Sequence, residues 1–346
     1  MGQAAHHLAR AITSQKNFWK RARVMIKNRI RKGVAIAGAI FAVNATAQDF
    51  PNRPIRVIVP YAAGGGSDIT IRIVQAKAME LLGQSLIVDN RAGGGTLIGT
   101  RMVQQAAADG YTLGVMDPAF IINPTLVKDA GYDAMKDFTP VTLITATPLI
   151  LVTPPSFPPK TVQELVDYVK ANPGKVNYGS PGDGSAGHLA MEQFRSFFGL
   201  RMIHVPYKGA GPAVVAVVAA EVPMLIAGSG GVPFIQDGRL RGLAATSAKR
   251  LPAIPNVPTF AELGFPQVNV QTFAGVVAPA GTPPAAIRRL QAAFAGATLT
   301  PEVKARLEQL NQFPVGNTTG EFTAFLKENQ ARLVKVVHDS NITLEH

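Results

Sequence analysis

Two glycine-rich segments have the residue types and spacing to bind an acid group. Residues 64–66 are three glycines followed by Ser67 and Asp68, and residues 93–95 are three glycines followed by Thr96. Glycines let backbone N–H groups converge at the start of a helix, where the helix dipole places roughly half a positive charge. Each segment could therefore hold a carboxylate or phosphate. Equally, each could only close a tight turn.

The surrounding residues predict the elements that position these segments. Residues 55–59 and 86–90 are short apolar runs typical of buried strands. After the first run, apolar residues recur at helical spacing until Gly83, at Ile71, Val74, Ala78 and Leu81. Two strand–loop–helix units in succession place the first glycine loop (residues 61–68) beside the second glycine loop (residues 91–96). Together they could grip one acid group.

A third small-residue loop (residues 179–188) has the same arrangement in the middle of the chain. It follows a predicted strand at 176–178, and Ser185 can cap the helix after it. His188 could contact a ligand or only bond the loop, and both readings stay open. His204 alternates with apolar neighbours on the next strand and is predicted to be a satisfied core residue. The rhythm of strands and helices predicts an α/β protein.

The positive charge of the chain is concentrated at its beginning. The formal net charge is +12, but residues 1–47 hold nine of the 34 Lys and Arg residues and no acid. The rest has 25 bases against 22 acids, which does not indicate a nucleic-acid partner. Residues 33–43 are apolar but shorter than the about 20 residues that span a bilayer. With the Ala-x-Ala at 45–47, this predicts a signal peptide over residues 1–47, cut before Gln48, with Met25 as an alternative start.

Known catalytic and metal motifs are incomplete. The chain has no cysteine, which excludes disulfides and thiolate metal sites. The segments around Ser185 and Ser229 each lack the first glycine of a G-x-S-x-G nucleophile turn. No H-E-x-x-H is present, and the first glycine loop lacks the lysine of a phosphate-binding G-K-[ST]. The residues therefore favour a binding protein over an enzyme and predict no metal and no cofactor.

Motifs spread along the chain resemble one family. They are Pro54-Ile-x-x-Ile-Val-Pro-x-Ala-Ala-Gly-Gly, Asn90-Arg-x-Gly-Gly-Gly, Asp109-Gly-Tyr-Thr-Leu, Asp137-Phe-Thr-Pro-Val, Tyr178-Gly-Ser-x-Gly-x-Gly-Ser-x-x-His-Leu, Val205-Pro-Tyr-Lys-Gly and Ala278-Pro-Ala-Gly-Thr-Pro. In this order they are similar to the extracytoplasmic solute receptors of tripartite tricarboxylate transporters, the Bug proteins. The resemblance covers nearly all of the chain after residue 47.

The resemblance implies a two-domain periplasmic-binding-protein (Venus flytrap) fold with a ligand cleft between the domains. It implies a first domain made of residues 48–148 and 276–346, and a second domain of residues 149–275. The expected function is capture of a small organic acid in the periplasm and its delivery to the membrane permease subunits of a tripartite tricarboxylate transporter. A monomer is expected. A receptor of the same fold that signals through a membrane sensor protein is the alternative.

The resemblance also implies which residues contact the solute. In similar proteins, backbone amides of the first two loops hold the carboxylate and the second domain covers the other side. Carried onto this sequence, the expected binding residues are Tyr61, Ala63, Gly64, Gly65, Asp68, Gly93, Gly94, Gly95, Ser180, Ser185, His188, Tyr207 and Lys208. Arg91 could join them or pair with Asp89.

Two departures from the family pattern bear on the cleft. Phe273 stands where many relatives carry tryptophan, which keeps an apolar wall and loses an indole donor. Asp183 adds a carboxylate at a position of the third loop that is usually uncharged. Its charge would repel a second carboxylate of the solute, or could pair with a hydroxyl or ammonium group. Both residues are expected at the site.

Overall fold

The computed structural model describes residues 50–340. The predicted signal peptide, residues 1–47, lies outside this range. From Phe50 onward the described residues belong to one compact unit. None of the helices in that part of the chain is long and apolar enough to cross a membrane.

Strands and helices alternate as the sequence predicts. The strands are β1 (Ile55–Val59), β2 (Leu86–Asn90), β3 (Thr112–Met116), β4 (Phe138–Pro148), β5 (Ile150–Thr153), β6 (Asn177–Ser180), β7 (Ile203–Pro206), β8 (Leu225–Ala227), β9 (Arg241–Ala245) and β10 (Gln271–Pro279). The helices are α1 (Gly66–Leu82), α2 (Leu97–Gln104), α3 (Pro118–Leu126), α4 (Val162–Ala171), α5 (Ala186–Phe198), α6 (Ala210–Val218), α7 (Val232–Gln236), α8 (Pro284–Leu299), α9 (Pro301–Gln309) and α10 (Thr319–Ser340).

The first sheet has the strand order β2-β1-β3-β10-β4. Strand β1 is parallel to β2 and β3, whereas β10 is antiparallel to β3 and β4. Ile55, Val57, Ile58 and Val59 are fully buried. A run of β-branched residues without polar alternation is what a parallel strand covered on both faces requires. The predicted strands at 55–59 and 86–90 are confirmed at both ends.

Helix α1 covers this sheet through Ile71, Val74, Ala78 and Leu82, which are all buried. The prediction of Leu81 as the last core position is wrong by one residue, since Leu81 is exposed. The helix spacing from Ala78 to Leu82 is four residues, which keeps the apolar stripe on one face. Gly83 ends the helix in the left-handed conformation, with φ 70°, and donates its N–H to the Met79 carbonyl.

The second sheet has the order β7-β6-β8-β5-β9. Strand β6 is parallel to β7 and β8, and β5 is antiparallel to β8 and β9. The chain enters this sheet between Pro148 and Ile150 and leaves it before Gln271. The predicted domain division at 148/149 falls at the first crossing, and that at 275/276 falls inside β10.

The two crossings lie side by side, since Gln271 lies opposite Pro148 in the antiparallel pairing of β10 with β4. The Leu149 N–H donates to Thr246 Oγ1 at 2.9 Å, and the Thr246 N–H donates to the Leu149 carbonyl at 2.8 Å. Thr246 directly follows β9, so these two bonds hold the first crossing against the second sheet. Paired crossing segments of this kind are where a hinge between two sheets would bend.

Candidate functional site

The first and second glycine loops lie at the same edge of the first sheet. Strands β1 and β2 are parallel, with Val59 opposite Asn90 at their carboxyl ends. Each loop therefore leaves its strand at that edge, and each leads into a helix start. In open α/β sheets, ligands bind in the crevice outside the carboxyl ends of the strands.

Asp68 is the residue that organises the first glycine loop. Its side chain is buried, and Oδ2 accepts the Gly64 N–H at 2.8 Å. Oδ1 accepts from Arg72 Nε at 2.9 Å and from Asn90 Nδ2 at 3.0 Å. Burial opposes ionisation, but the hydrogen bonds from Arg72, Gly64 and Asn90 outweigh it and hold the pKa of Asp68 below its usual value. Asp68 therefore supports the first glycine loop.

Tyr61 ties the first glycine loop to the end of β3. Its hydroxyl donates to the Asp117 carboxylate, and its carbonyl accepts from Asn90 Nδ2 at 3.0 Å. Asp117 also caps α3 by accepting the Ala119 N–H at 3.0 Å. Burial raises the pKa of Asp117 to about 6 and that of the Tyr61 hydroxyl well above its ordinary value. The ends of three adjacent strands are thus fixed to one another.

The hydrogen bonds of Asp68 and Tyr61 leave the backbone of the first glycine loop exposed. Ala63 and Gly64 are exposed and Gly65 is half-buried. A Cβ at Gly64 would meet open space, although its φ of +82° favours glycine. The first N–H groups of α1 have no acceptor within the helix itself, because an α-helix bonds its amides four residues back. The loop can offer amide donors without any arginine.

The second glycine loop is held in left-handed conformation. Gly93, Gly94 and Gly95 have φ of 127°, 56° and 59°, and Thr96 has φ 81°. A left-handed threonine costs on the order of 1 kcal/mol or more and persists only where its surroundings hold it. Asn123 does so, because its Nδ2 donates to the Gly95 carbonyl at 2.7 Å and to Thr96 Oγ1 at 3.1 Å. Strain held in this way clusters at ligand sites.

The three glycines differ in what a side chain would meet. A Cβ at Gly93 would lie 2.7 Å from Ile98 Cδ1, whereas one at Gly94 would first meet Leu97 Cβ at 3.6 Å and one at Gly95 would meet open space. Gly93 is therefore a packing position as well as a loop position. Arg91 pairs with Asp89, Nε to Oδ1 at 2.9 Å, as one of the two readings expected.

The third loop is closed by its two serines. Ser180, which ends β6 and is fully buried, accepts the Gly182 N–H at 3.1 Å on Oγ. Ser185 caps α5 by accepting the His188 N–H at 3.3 Å and donates its hydroxyl to the Gly182 carbonyl at 2.7 Å. The neighbouring loop after β7 lies alongside, since the Tyr207 N–H donates to the Ser180 carbonyl at 2.9 Å.

Two histidines stack behind this loop. The His188 and His204 rings are 3.9 Å apart at their centroids and inclined by 7°. His188 is buried, and its Nδ1 accepts the Gly184 N–H at 3.1 Å. Burial lowers the pKa of His188 to about 4 and also lowers the pKa of His204. Both imidazoles are therefore neutral at neutral pH.

His204 connects Ser180 to Asp183. Its Nε2 lies 2.6 Å from Ser180 Oγ, and its Nδ1 lies 3.5 Å from Asp183 Oδ1. The prediction of a core histidine is half right, because His204 is satisfied but its side chain keeps 19% of its exposure and belongs to the site. Ser180, His204 and Asp183 are connected in the order of a hydrolytic triad, but the exposure of the serine and the aspartate is the reverse of what such a triad needs. Ser180 is buried and Asp183 is exposed, so the serine is no accessible nucleophile.

Asp183, His188 and His204 also have donor atoms within 4.8 Å of one another. A metal ion binds an imidazole near the plane of its ring. Since the two rings are nearly parallel and stacked, one ion cannot lie in both planes. His188 Nδ1 and His204 Nε2 are also occupied by Gly184 and Ser180. The geometry is that of a hydrogen-bonded stack and does not form a ready metal site.

Three more residues were expected at the site, namely Tyr207, Lys208 and Phe273. Tyr207 is half-buried and Lys208 is exposed on the loop beside the third loop. Phe273 is 3% exposed and packs edge-on against Phe325, with ring centroids 5.3 Å apart. This placement assigns Phe273 to packing between β10 and α10.

Sequence reasoning missed the residues that support the loops. Asn90, Asp117 and Asn123 are not among the residues expected from the sequence, yet they fix the first and second glycine loops. Asn90 and Asp117 are polar residues at the carboxyl ends of buried parallel strands, a position that could have identified them. Asn123 lies within the very apolar α3, where an amide must find partners.

The fold and these loops define a periplasmic binding protein of two-domain, Venus-flytrap build. The periplasmic binding protein BugD has a TM-score of 0.76 and 29% identity, covering 86% of this chain and all of that chain. A Rhodopseudomonas palustris protein solved with adipate has a TM-score of 0.78 and 32% identity, over 85% of this chain and 99% of that one. MatC from the same organism, with bound malate, has a TM-score of 0.76 and 31% identity, over 83% of this chain and all of MatC.

Residues 70–342 match the family described as tripartite tricarboxylate transporter family receptor. The chain belongs to this family. The resemblance to Bug proteins seen in the sequence is thereby confirmed, as is the expected fold class. Members of the family and the similar structures are solute-binding receptors, so the choice of a receptor over an enzyme is also confirmed.

Proposed function

We propose that this protein captures a small organic acid in its interdomain cleft and delivers it to the membrane permease subunits of a tripartite tricarboxylate transporter. The observation that carries the proposal is the pair of glycine loops at one sheet edge, each with exposed backbone and each fixed by buried side chains. The family assignment supports a receptor, and the adipate-bound and malate-bound relatives support an acid as its solute.

In this proposal the first and second glycine loops hold the carboxylate through backbone N–H groups and helix starts. Ala63, Gly94 and Gly95 supply these contacts, whereas the N–H groups of Gly64 and Gly65 are already bonded to Asp68 and to the Ala62 carbonyl. Asp68 and Asn123 keep the amides in place before the solute arrives, so binding does not have to order the loop. Preorganised amides serve a carboxylate of any parent compound, which explains how one architecture suits many acids.

The third loop closes the opposite side of the cleft. The solute bridges the two sheets and favours a closed arrangement, with bending at the paired crossings near Pro148 and Gln271. Closure changes the surface that a permease meets. Export through the signal peptide at residues 1–47 would place the exported protein in the periplasm as a monomer.

Thermal melting against a panel of acids tests the proposal. The exported protein, refolded to remove bound solute, is heated with mono-, di- and tricarboxylates, aromatic acids and acidic amino acids. A ligand specific to the folded state adds about 2.7 kcal/mol of stability at a hundredfold excess over its dissociation constant. A rise with one chemical class supports the proposal, and no rise with any acid refutes it.

A further inference from the structure

Within residues 50–340, Asp183 has no lysine or arginine paired with it, unlike Asp68 and Asp89 of the glycine loops. Its recorded ion-pair partner within residues 50–340 is His204, with 3.5 Å between Oδ1 and Nδ1. His204 and the stacked His188 are neutral at neutral pH because burial disfavours their charged forms. The contact to His204 therefore orients the Asp183 carboxylate without neutralising it.

The neighbouring acid is already compensated. Glu192 is buried behind the histidines, where it accepts the Tyr178 hydroxyl at 2.5 Å and pairs with Arg195. Tyr178 in turn stacks on His204, with ring centroids 4.9 Å apart. The buried part of the cluster thus carries balanced charges, and the unbalanced negative charge lies at its exposed end, on Asp183.

The backbone that presents Asp183 is fixed from several sides. Gly182 bonds Ser180 Oγ through its N–H and the Ser185 hydroxyl through its carbonyl. The carbonyl of Pro181 accepts the Gly209 N–H at 3.0 Å from the neighbouring loop. A side chain on such a loop, with 41% of its surface exposed, is available to a solute at a defined position.

The position is at the ligand edge of the second sheet. Strands β6 and β7 are parallel, with Ser180 opposite Pro206 at their carboxyl ends. The third loop leaves the sheet there, and in this fold class the carboxyl edges of both sheets line the cleft. The two glycine loops take the acid group at one side, so Asp183 meets the far end of the solute.

We propose that Asp183, oriented by His204, selects a solute whose far end donates a hydrogen bond, as a hydroxyl or ammonium group does, and rejects a second carboxylate there. This inference rests on the proposed function, since it assumes an acid group in the glycine loops. A carboxylate only accepts hydrogen bonds, so a donor at the far end of the solute can bond to Asp183. A second carboxylate there could donate no hydrogen bond to Asp183, and the two negative charges would repel each other.

Lys208 is the nearest competing explanation. It is exposed on the loop after β7 and could hold a far carboxylate, which would make a dicarboxylate the preferred solute. No ion pair joins Lys208 to Asp183 in the described part of the chain. The two readings predict opposite responses to removal of the Asp183 charge.

The test compares solutes of equal length that differ only at the far end. Succinate, γ-hydroxybutyrate and γ-aminobutyrate form one set, and their five- and six-carbon homologues form two more. Affinities are measured by calorimetry on wild type, on Asp183→Asn, which keeps the shape and removes the charge, and on Asp167→Asn, which removes the same charge from the exposed face of α4. Melting curves check that all three proteins fold.

Wild type is expected to bind a hydroxy or amino acid at least about tenfold more tightly than the dicarboxylate of the same length. Asp183→Asn should reduce this ratio of affinities or reverse the preference, and Asp167→Asn should leave the ratio unchanged. The inference is overturned by a wild type that prefers the dicarboxylate, by an unchanged ratio in Asp183→Asn, or by no binding of any hydroxy or amino acid. If dicarboxylates bind both proteins alike, the proposed function survives. If no organic acid of any class binds, both fail.

Discussion

In the proposed site, the glycine loops of the first sheet and the third loop of the second sheet have opposite chemistry. On the first sheet, the carboxylates of Asp68 and Asp89 pair with arginines, Asp117 accepts the Tyr61 hydroxyl, and backbone is left exposed. On the second sheet, an unbalanced carboxylate, Asp183, is exposed beside neutral histidines. One side is suited to any carboxylate, and the other can discriminate between solutes by their far ends.

The largest expected effect tests the first-sheet side. Gly94→Val should abolish measurable binding, with a loss of more than about a thousandfold, because its side chain occupies the exposed face of the second glycine loop. Gly83→Val is the matched control, since Gly83 also has positive φ and open space around its Cβ but ends α1 away from the loops. Titration and melting of both variants give the answer. Full affinity in a folded Gly94→Val protein would remove the second glycine loop from the site.

The second expected effect concerns the histidine stack. The folded pKa of His188, about 4, lies below the ordinary value of 6.5, so the unfolded chain binds more protons between these values. The contribution of His188 to the free energy of unfolding should be constant above pH 6.5 and fall by roughly 3 kcal/mol as the pH drops to 4. Asp117, with its raised pKa, acts in the opposite sense over the same range.

His188→Gln separates these contributions, because it removes one titration and leaves Asp117 and the other groups in place. The difference in unfolding free energy between wild type and His188→Gln, measured by urea denaturation across this range, should shrink on acidification. If the unfolding free energies of the two proteins differ by the same amount from pH 7 to 4, the histidine stack is not what makes the second sheet sensitive to acid.

A third effect tests the support of the first glycine loop. Asp68→Asn keeps the shape of the side chain and weakens its bonds to Arg72 and the Gly64 amide. We expect a loss of roughly 2 kcal/mol of stability and about tenfold in affinity. Denaturation and titration measure the two losses. Asp133→Asn, a change at a half-buried acid that bonds its own turn, is the control. Unchanged affinity would mean that the loop keeps its amides in place without Asp68.

The smallest expected effect is at Lys208. If Asp183 selects a donor at the far end, Lys208→Ala should change affinity by less than about twofold, since an exposed lysine contributes little. Titration with the best acid from the panel measures it. A tenfold loss would move the recognition of the far end from Asp183 to Lys208 and would indicate a dicarboxylate.

Several features of the site could be predicted because they depend on neighbours in the sequence. The β-branched run at 55–59 and the stripe at Ile71, Val74 and Ala78 predict the strand and helix that flank the first glycine loop. Ser185 was expected to cap a helix and does so. Each of these follows from local propensity and spacing, which act over a few residues.

Other features could not be predicted, because their partners are far apart in the chain. Tyr61 bonds Asp117 across 56 residues, and Asn123 reaches Gly95 across 28. Ser180 and His204 are 24 residues apart and meet only because β6 and β7 pair in parallel. The identity of a polar residue shows which hydrogen bonds it can make, but the sequence does not show which distant residue will be its partner.

By itself, the sequence determined the α/β build, the two glycine-rich helix starts and the presence of an unusual acid in the third loop, since composition and short-range spacing suffice for these. The tertiary structure decided which of those groups remain free. Burial and long-range hydrogen bonds assign Asp68, Tyr61 and Phe273 to support or packing, because a buried polar atom must be satisfied by whichever partner the fold brings to it. The same pairing of strands placed His204 beside Asp183 and gave that acid its orientation.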